Sequence, residues 1–131
     1  AETAPRLADG SPFPTLYYLT CPRANAAVSK LEASGLMRDM TARLADDAVR
    51  SRYESAHRDY LTRREAAARA AGIEPLPPGT QSAGGMPERV KCLHALVAHE
   101  LAAGEVNPFG REALKAAGQW WLPGPCVPGS R

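Results

Sequence analysis

The stretch ERVKCLHALVAHELAA, residues 88–103, decides how the chain folds. Its apolar residues recur with a helical period, and Gly104 stands where such a helix would stop. At about 100° per residue, Val90, Leu93, Val97 and Leu101 share one face, and Cys92, Ala95 and His99 share the opposite one. Two such faces predict a central helix, starting near Pro87-Glu88 and buried on both sides. The second face carries a thiol and an imidazole. It reads either as a packed cysteine with a hydrogen-bonded histidine or as the wall of a site.

Outward from this element, a last short helix is expected at 110–121, carrying Leu114 and the Trp120-Trp121 pair, followed by a Pro/Gly-rich tail at 122–131. On the other side, Pro75 to Pro87 reads as a long loop. Residues 47–71 read as the longest helix, with Val49, Tyr53, Ala56 and Tyr60 on one face. Glu54–Arg58, Asp59–Arg63 and Glu65–Arg69 are i,i+4 pairs in the favourable order, and the polar end from about Glu65 is expected to project from the core.

Thr20-Cys21-Pro22 opens another helix, with Thr20 as cap and Ala24, Ala27, Val28 and Leu31 as its stripe, up to Gly35. A short helix with Leu36, Met40 and Leu44 in register follows. At the N-terminus, Ala8-Asp9-Gly10-Ser11-Pro12 is turn chemistry, and a hairpin pairing 2–7 with 15–19 is expected. The expected fold is therefore α+β: a predominantly helical single domain with a small N-terminal β-hairpin. In it, 1–20 is the hairpin, 21–121 the helical body and 122–131 the tail.

With 131 residues, 44% of them hydrophobic and 23% charged, the chain suits one globular domain. A net charge of +2 is too mild for a dedicated nucleic-acid binder, so no nucleic-acid partner is expected. No run approaches the roughly 18 consecutive apolar residues of a membrane span, so no membrane insertion is expected. Three cysteines and no signal-peptide pattern suit a cytoplasmic protein rather than a disulfide framework, although one disulfide is compatible with the count.

Cys92-Leu93-His94 invites a zinc reading, but residues i and i+2 of a helix point about 200° apart. Cys92 and His99 share a face yet lie about 10 Å apart along the axis. A zinc site would need Cys21, Cys92, His94, His99 and Cys126 drawn together by the tertiary fold, since structural zinc takes four ligands. Cys21 lies at a strand-to-helix handover beside Arg23, where free amides and the helix dipole lower a thiol pKa and attract anions. The strand–Cys-Pro–helix pattern is similar to thioredoxin-like redox proteins, but the second cysteine and the βαβ pattern are missing.

Arg89 and Lys91 follow Gly84-Gly85-Met86-Pro87 at the start of the central helix. A glycine loop entering a helix beside cations suits a phosphate or carboxylate, though the Walker spacing is absent. Solvated surface charge is the plainer reading. His57 reads as a packing residue beside the Tyr53/Tyr60 stripe, and Trp120-Trp121 as an anchor for the last helix. Hydrolase signatures such as GxSxG and HExxH are absent.

Three stretches carry a family resemblance. They are Phe13-Pro14-Thr15-Leu16-Tyr17-Tyr18-Leu19-Thr20-Cys21-Pro22, then Ser82 to Pro87 with Arg89 to Leu96, and last Asn107-Pro108 with Trp120-Trp121 and Gly124-Pro125-Cys126. Together they resemble the uncharacterised bacterial family DUF501 over nearly the whole chain. The resemblance brings no established activity. It implies a start further upstream, with a Cys-x-Cys segment that this chain lacks. Family genes neighbour those of a septum-formation coiled-coil protein and an exopolyphosphatase, which implies a phosphate-rich ligand or a division-protein partner.

The leading functional expectation is a small-anion or partner-binding module. Its site would use Thr20, Cys21, Arg23, Arg89, Lys91 and His94 at two helix N-termini. The alternatives are a metal- or thiol-dependent enzyme using Cys21 or Cys92, with zinc as the cofactor such ligands suit, and a scaffold linked to cell division or polyphosphate metabolism.

Overall fold

The computed structural model describes residues 1–124. It contains five helices: α1 (Pro22–Glu32), α2 (Leu36–Arg43), α3 (Asp47–Ala70), α4 (Leu93–Ala103) and α5 (Pro108–Ala117). None is long and apolar enough to cross a membrane.

Local chemistry sets the helix starts. The Asp46 carboxylate accepts from the Ala48 and Val49 amides at 2.8 and 3.2 Å and opens α3. Asn107 Oδ1 accepts from the Gly110 amide at 2.9 Å, and Pro108 sits in the first turn of α5, where its missing N–H costs nothing. Pro22 does the same for α1, whose N-cap is the extended Cys21, not Thr20.

α4 is the centre of the molecule. Leu96 through Glu100 are five consecutive buried residues, so every side of the helix is covered there. α5 and α1 pack on it directly. The Tyr17 and Tyr60 rings close over His99 from the N-terminal segment and from α3. At the α4–α5 crossing, a Cβ on Gly110 would come within 2.3 Å of the Leu96 carbonyl oxygen, so only glycine permits this approach. The buried Glu100 carboxylate accepts from the Val106 and Asn107 amides and from Arg111, which fixes the turn between the two helices.

The expected β-hairpin is not seen; the described residues contain no strand. The N-terminal segment does double back through a turn in which Gly10 has φ 88°. Thr3 N–H donates to Leu16 O, Phe13 N–H to Pro5 O and Tyr18 N–H to Ala1 O. These bonds produce only two isolated bridges, Glu2–Tyr17 and Arg6–Pro12. Pro5, Pro12 and Pro14 supply no N–H, so no continuous ladder can form. The fold is helical, with an irregular N-terminal strap in place of the hairpin.

The central helix also starts later than its periodicity predicts, at Leu93 rather than near Glu88. The backbone from 88 to 92 bonds sideways. Val90 N–H donates to Thr41 Oγ1, Arg89 O accepts from Tyr53, and Lys91 N–H donates to Gly84 O. The last helix spans 108–117 instead of 110–121, and leaves Trp120 and Trp121 outside it in edge-on contact. The end of α3 does not project freely, because Arg64 and Ala68 are buried. Of its expected ion pairs, Asp59–Arg63 and Glu65–Arg69 form. Glu54 instead lies 3.9 Å from Arg50.

Candidate functional site

A cleft of about 1020 Å³ runs between the N-terminal strap (Thr15, Tyr17 to Leu19), α3 (His57, Leu61), the segment from Gly79 to Cys92, Asn25 of α1, and the start of α4 (His94). Two clusters of chemical groups lie along it.

The first stands where the end of α1 meets the start of α4. Cys92 is the N-cap of α4 with extended backbone (φ −145°, ψ 109°), and its side chain caps nothing. The first amides of α4 are capped from another helix: Glu32 Oε2 accepts from Leu93 N–H at 2.8 Å and from His94 N–H at 3.5 Å. A carboxylate at a helix N-terminus is favourable for both charge and hydrogen bonding. His94 Nδ1 lies 3.0 Å from the same oxygen, and its Nε2 lies 3.3 Å from both Asn25 O and Ser29 Oγ. Ligand atoms of Glu32, Cys92 and His94 all lie within 4.8 Å of one another, and the three residues are half-buried.

Burial pushes the Cys92 thiol pKa up, the Glu32 charge adds to this, and the nearby Ala95 and His94 amides only partly offset it. That is the opposite of an activated nucleophile. Among the described residues, neither His94 nitrogen is hydrogen-bonded to the thiol.

The second cluster lines the cleft along 82–85. Buried Ser82 Oγ lies 2.7 Å from His57 Nδ1. Burial holds the His57 pKa below its ordinary value, and the Arg58 and Arg64 charges add to the effect. The amides of Ser82, Ala83, Gly84 and Gly85 donate to no acceptor among the described residues. Gly84 and Gly85 have φ of 63° and 90°, and a Cβ on either would meet a neighbour at 2.8 or 2.7 Å. Arg89 and Lys91 line the cleft as exposed cations, and neither forms an ion pair among the described residues.

The expected site residues are thus divided. Arg89, Lys91, Cys92 and His94 line the large cleft. Thr20 and Cys21 line a smaller one of about 540 Å³. Arg23 donates to the Trp120 and Gly124 carbonyls, so it holds the segment after α5. Cys21 is disulfide-bonded and offers no thiolate. His99 is fully buried and held by Asp59 and Asn107, away from Cys92 and His94. Cys126 lies outside the described residues. Glu32 and Ser82 were not legible as site residues: one is an ordinary acid ending a helix, the other a loop serine, and no spacing links either to its partner.

These features define the class: a helical domain, with five helices among the described residues, an irregular strap and a polar cleft where two helices meet. The chain belongs to the family described as protein of unknown function (DUF501), whose profile matches residues 1–115 and so covers both clusters. No curated protein and no solved structure matches it.

Proposed function

We propose that the cleft binds a small anion of the phosphate or carboxylate class. The observation that carries this reading is the presence, in one cleft, of four successive amides, Ser82 to Gly85, and two cations, Arg89 and Lys91, that have no hydrogen-bond acceptor or ion-pair partner, respectively, among the described residues. A glycine-bearing turn whose amides face one ligand is a recurrent anion-binding arrangement. The α4 N-terminus plays no direct part, because Glu32 already fills it. The anion therefore sits against the 82–85 turn. Thr20, Cys21 and Arg23 belong to a different surface and take no role in this reading.

Each charge-assisted hydrogen bond contributes about 1.5–3 kcal/mol. Calorimetric titration with inorganic phosphate and pyrophosphate at low salt tests the reading. The Arg89→Ala/Lys91→Ala variant should lose at least about tenfold in affinity, since tenfold is about 1.4 kcal/mol. Both side chains are exposed, so the fold should be unaffected. Equal binding by the double variant would refute the proposal.

A further inference from the structure

Beyond anion binding, we propose that Glu32, Cys92 and His94 form a three-ligand site for a divalent metal ion of the zinc class, at the α1–α4 end of the cleft. The donors are a thiol, an imidazole and a carboxylate, the three types zinc takes, with their ligand atoms within 4.8 Å of one another. Bound to one zinc at about 2.0–2.3 Å, such atoms stand roughly 3.3–3.8 Å apart, so small side-chain rotations close the site. Glu32 and His94 are held by the packing of α1 against α4, and Cys92 is the extended N-cap residue of α4.

The surroundings of His94 suit a ligand. Its Nε2 faces the Asn25 carbonyl and the Ser29 hydroxyl, each at 3.3 Å, and its Nδ1 faces the Glu32 carboxylate at 3.0 Å. With the ring proton on Nε2, donated to Asn25 O, the Nδ1 lone pair is turned to the carboxylate side, where the ion would sit. The Nε2–H···O=C bond is also the outer contact that commonly orients a metal-bound histidine.

Glu32 can ligate and cap at once, because Oε2 takes the α4 amides while Oε1 accepts no N–H among the described residues. No Lys or Arg pairs with Glu32 among the described residues. One thiolate, one carboxylate and one divalent ion sum to zero charge, which suits a half-buried site. The sulfur and nitrogen donors select zinc, cobalt or a similar ion over magnesium or calcium. Three protein ligands leave a further position for water or for a ligand from the cleft.

Cobalt is the probe. The intact protein, freed of metal with a chelator and with its disulfide left oxidised, is titrated with Co²⁺ and then with Zn²⁺. The expected result is one equivalent of Co²⁺ with a near-ultraviolet thiolate-to-cobalt charge-transfer band, lost on adding Zn²⁺. Cys92→Ser should abolish the band, and Glu32→Gln should weaken affinity at least about tenfold, with circular dichroism checking the fold of each. Absence of the band in the unmodified protein, or its persistence in Cys92→Ser, overturns the proposal. No phosphate is present, so this outcome is independent of the anion reading.

Discussion

His99 shows how a single residue's protonation can be read from its neighbours. Gly110 N–H donates to Asn107 Oδ1, which turns the Asn107 amide nitrogen toward His99 Nδ1 at 3.2 Å. Nδ1 is therefore the acceptor, and Nε2–H donates to Asp59 at 2.8 Å. The ring is neutral and serves the core. Burial lowers its pKa below the ordinary 6.5, although the Asp59 hydrogen bond and charge pull the other way. His57 is lowered in the same direction. Burial would raise Asp59, but hydrogen bonds from His99 and Arg63 and their charges outweigh it and hold the carboxyl below its ordinary 3.8.

The stability consequence has a definite sign. Below about pH 6.5 the unfolded histidines take up protons that the native ones refuse, so the unfolded state binds more protons and stability rises with pH. The contribution is complete above that point and is lost as pH falls toward the lowered native values. Asp59 adds a further loss below about 3.8 in the same direction. Urea midpoints measured from about pH 7.5 to about pH 5 should fall steadily with acid, and His99→Gln should flatten the slope. A midpoint that rises with acid would contradict the assignment.

At the scale of elements, the α4–α5 contact turns on Gly110. Helix propensity alone says that glycine to alanine inside a helix gains about 1 kcal/mol. The contact says otherwise, because the added Cβ meets the Leu96 carbonyl oxygen at 2.3 Å and Glu100 Cβ at 3.0 Å. Both are parts of α4, so the helices must separate. Gly110→Ala should therefore destabilise by about 2–3 kcal/mol net, an overpacking cost. A lowered urea midpoint with unchanged helical content would bear this out; a raised one would show that propensity wins.

For the molecule as a whole, Arg64 is the tie. Its guanidinium is buried and donates to Pro14 O at 2.9 Å, Gln81 O at 2.6 Å and Thr80 O at 3.4 Å. It thereby pins the N-terminal strap and the 79–92 segment to α3, and these are three walls of the cleft. Arg64→Met keeps the apolar stem but leaves these part-buried carbonyls without their donor, at about 1–2 kcal/mol. Hydrogen exchange should quicken across 1–20 and 75–92 while α4 and α5 stay protected. Uniform exchange throughout would mean that Arg64 supports the core rather than the cleft.

Helix content, the long α3 with its Tyr53–Ala56–Tyr60 face and the turn at Gly10 were legible because each depends on local periodicity or local backbone freedom. Cys92 and His94 were legible as chemically interesting, but their convergence was not. The helical period, extended back to Glu88, set them about 200° apart, whereas Cys92 is extended and outside the helix. What ends α4 there is remote: Thr41, Tyr53 and Gly84 take up the 88–92 backbone, and Glu32 caps the first amides. The hairpin failed for a reason printed in the chain, the missing donors of Pro5, Pro12 and Pro14. Local elements follow from short-range sterics and periodicity, which a linear reading contains. The cleft and its donor set arise from contacts between residues some sixty positions apart, and only packing brings those together.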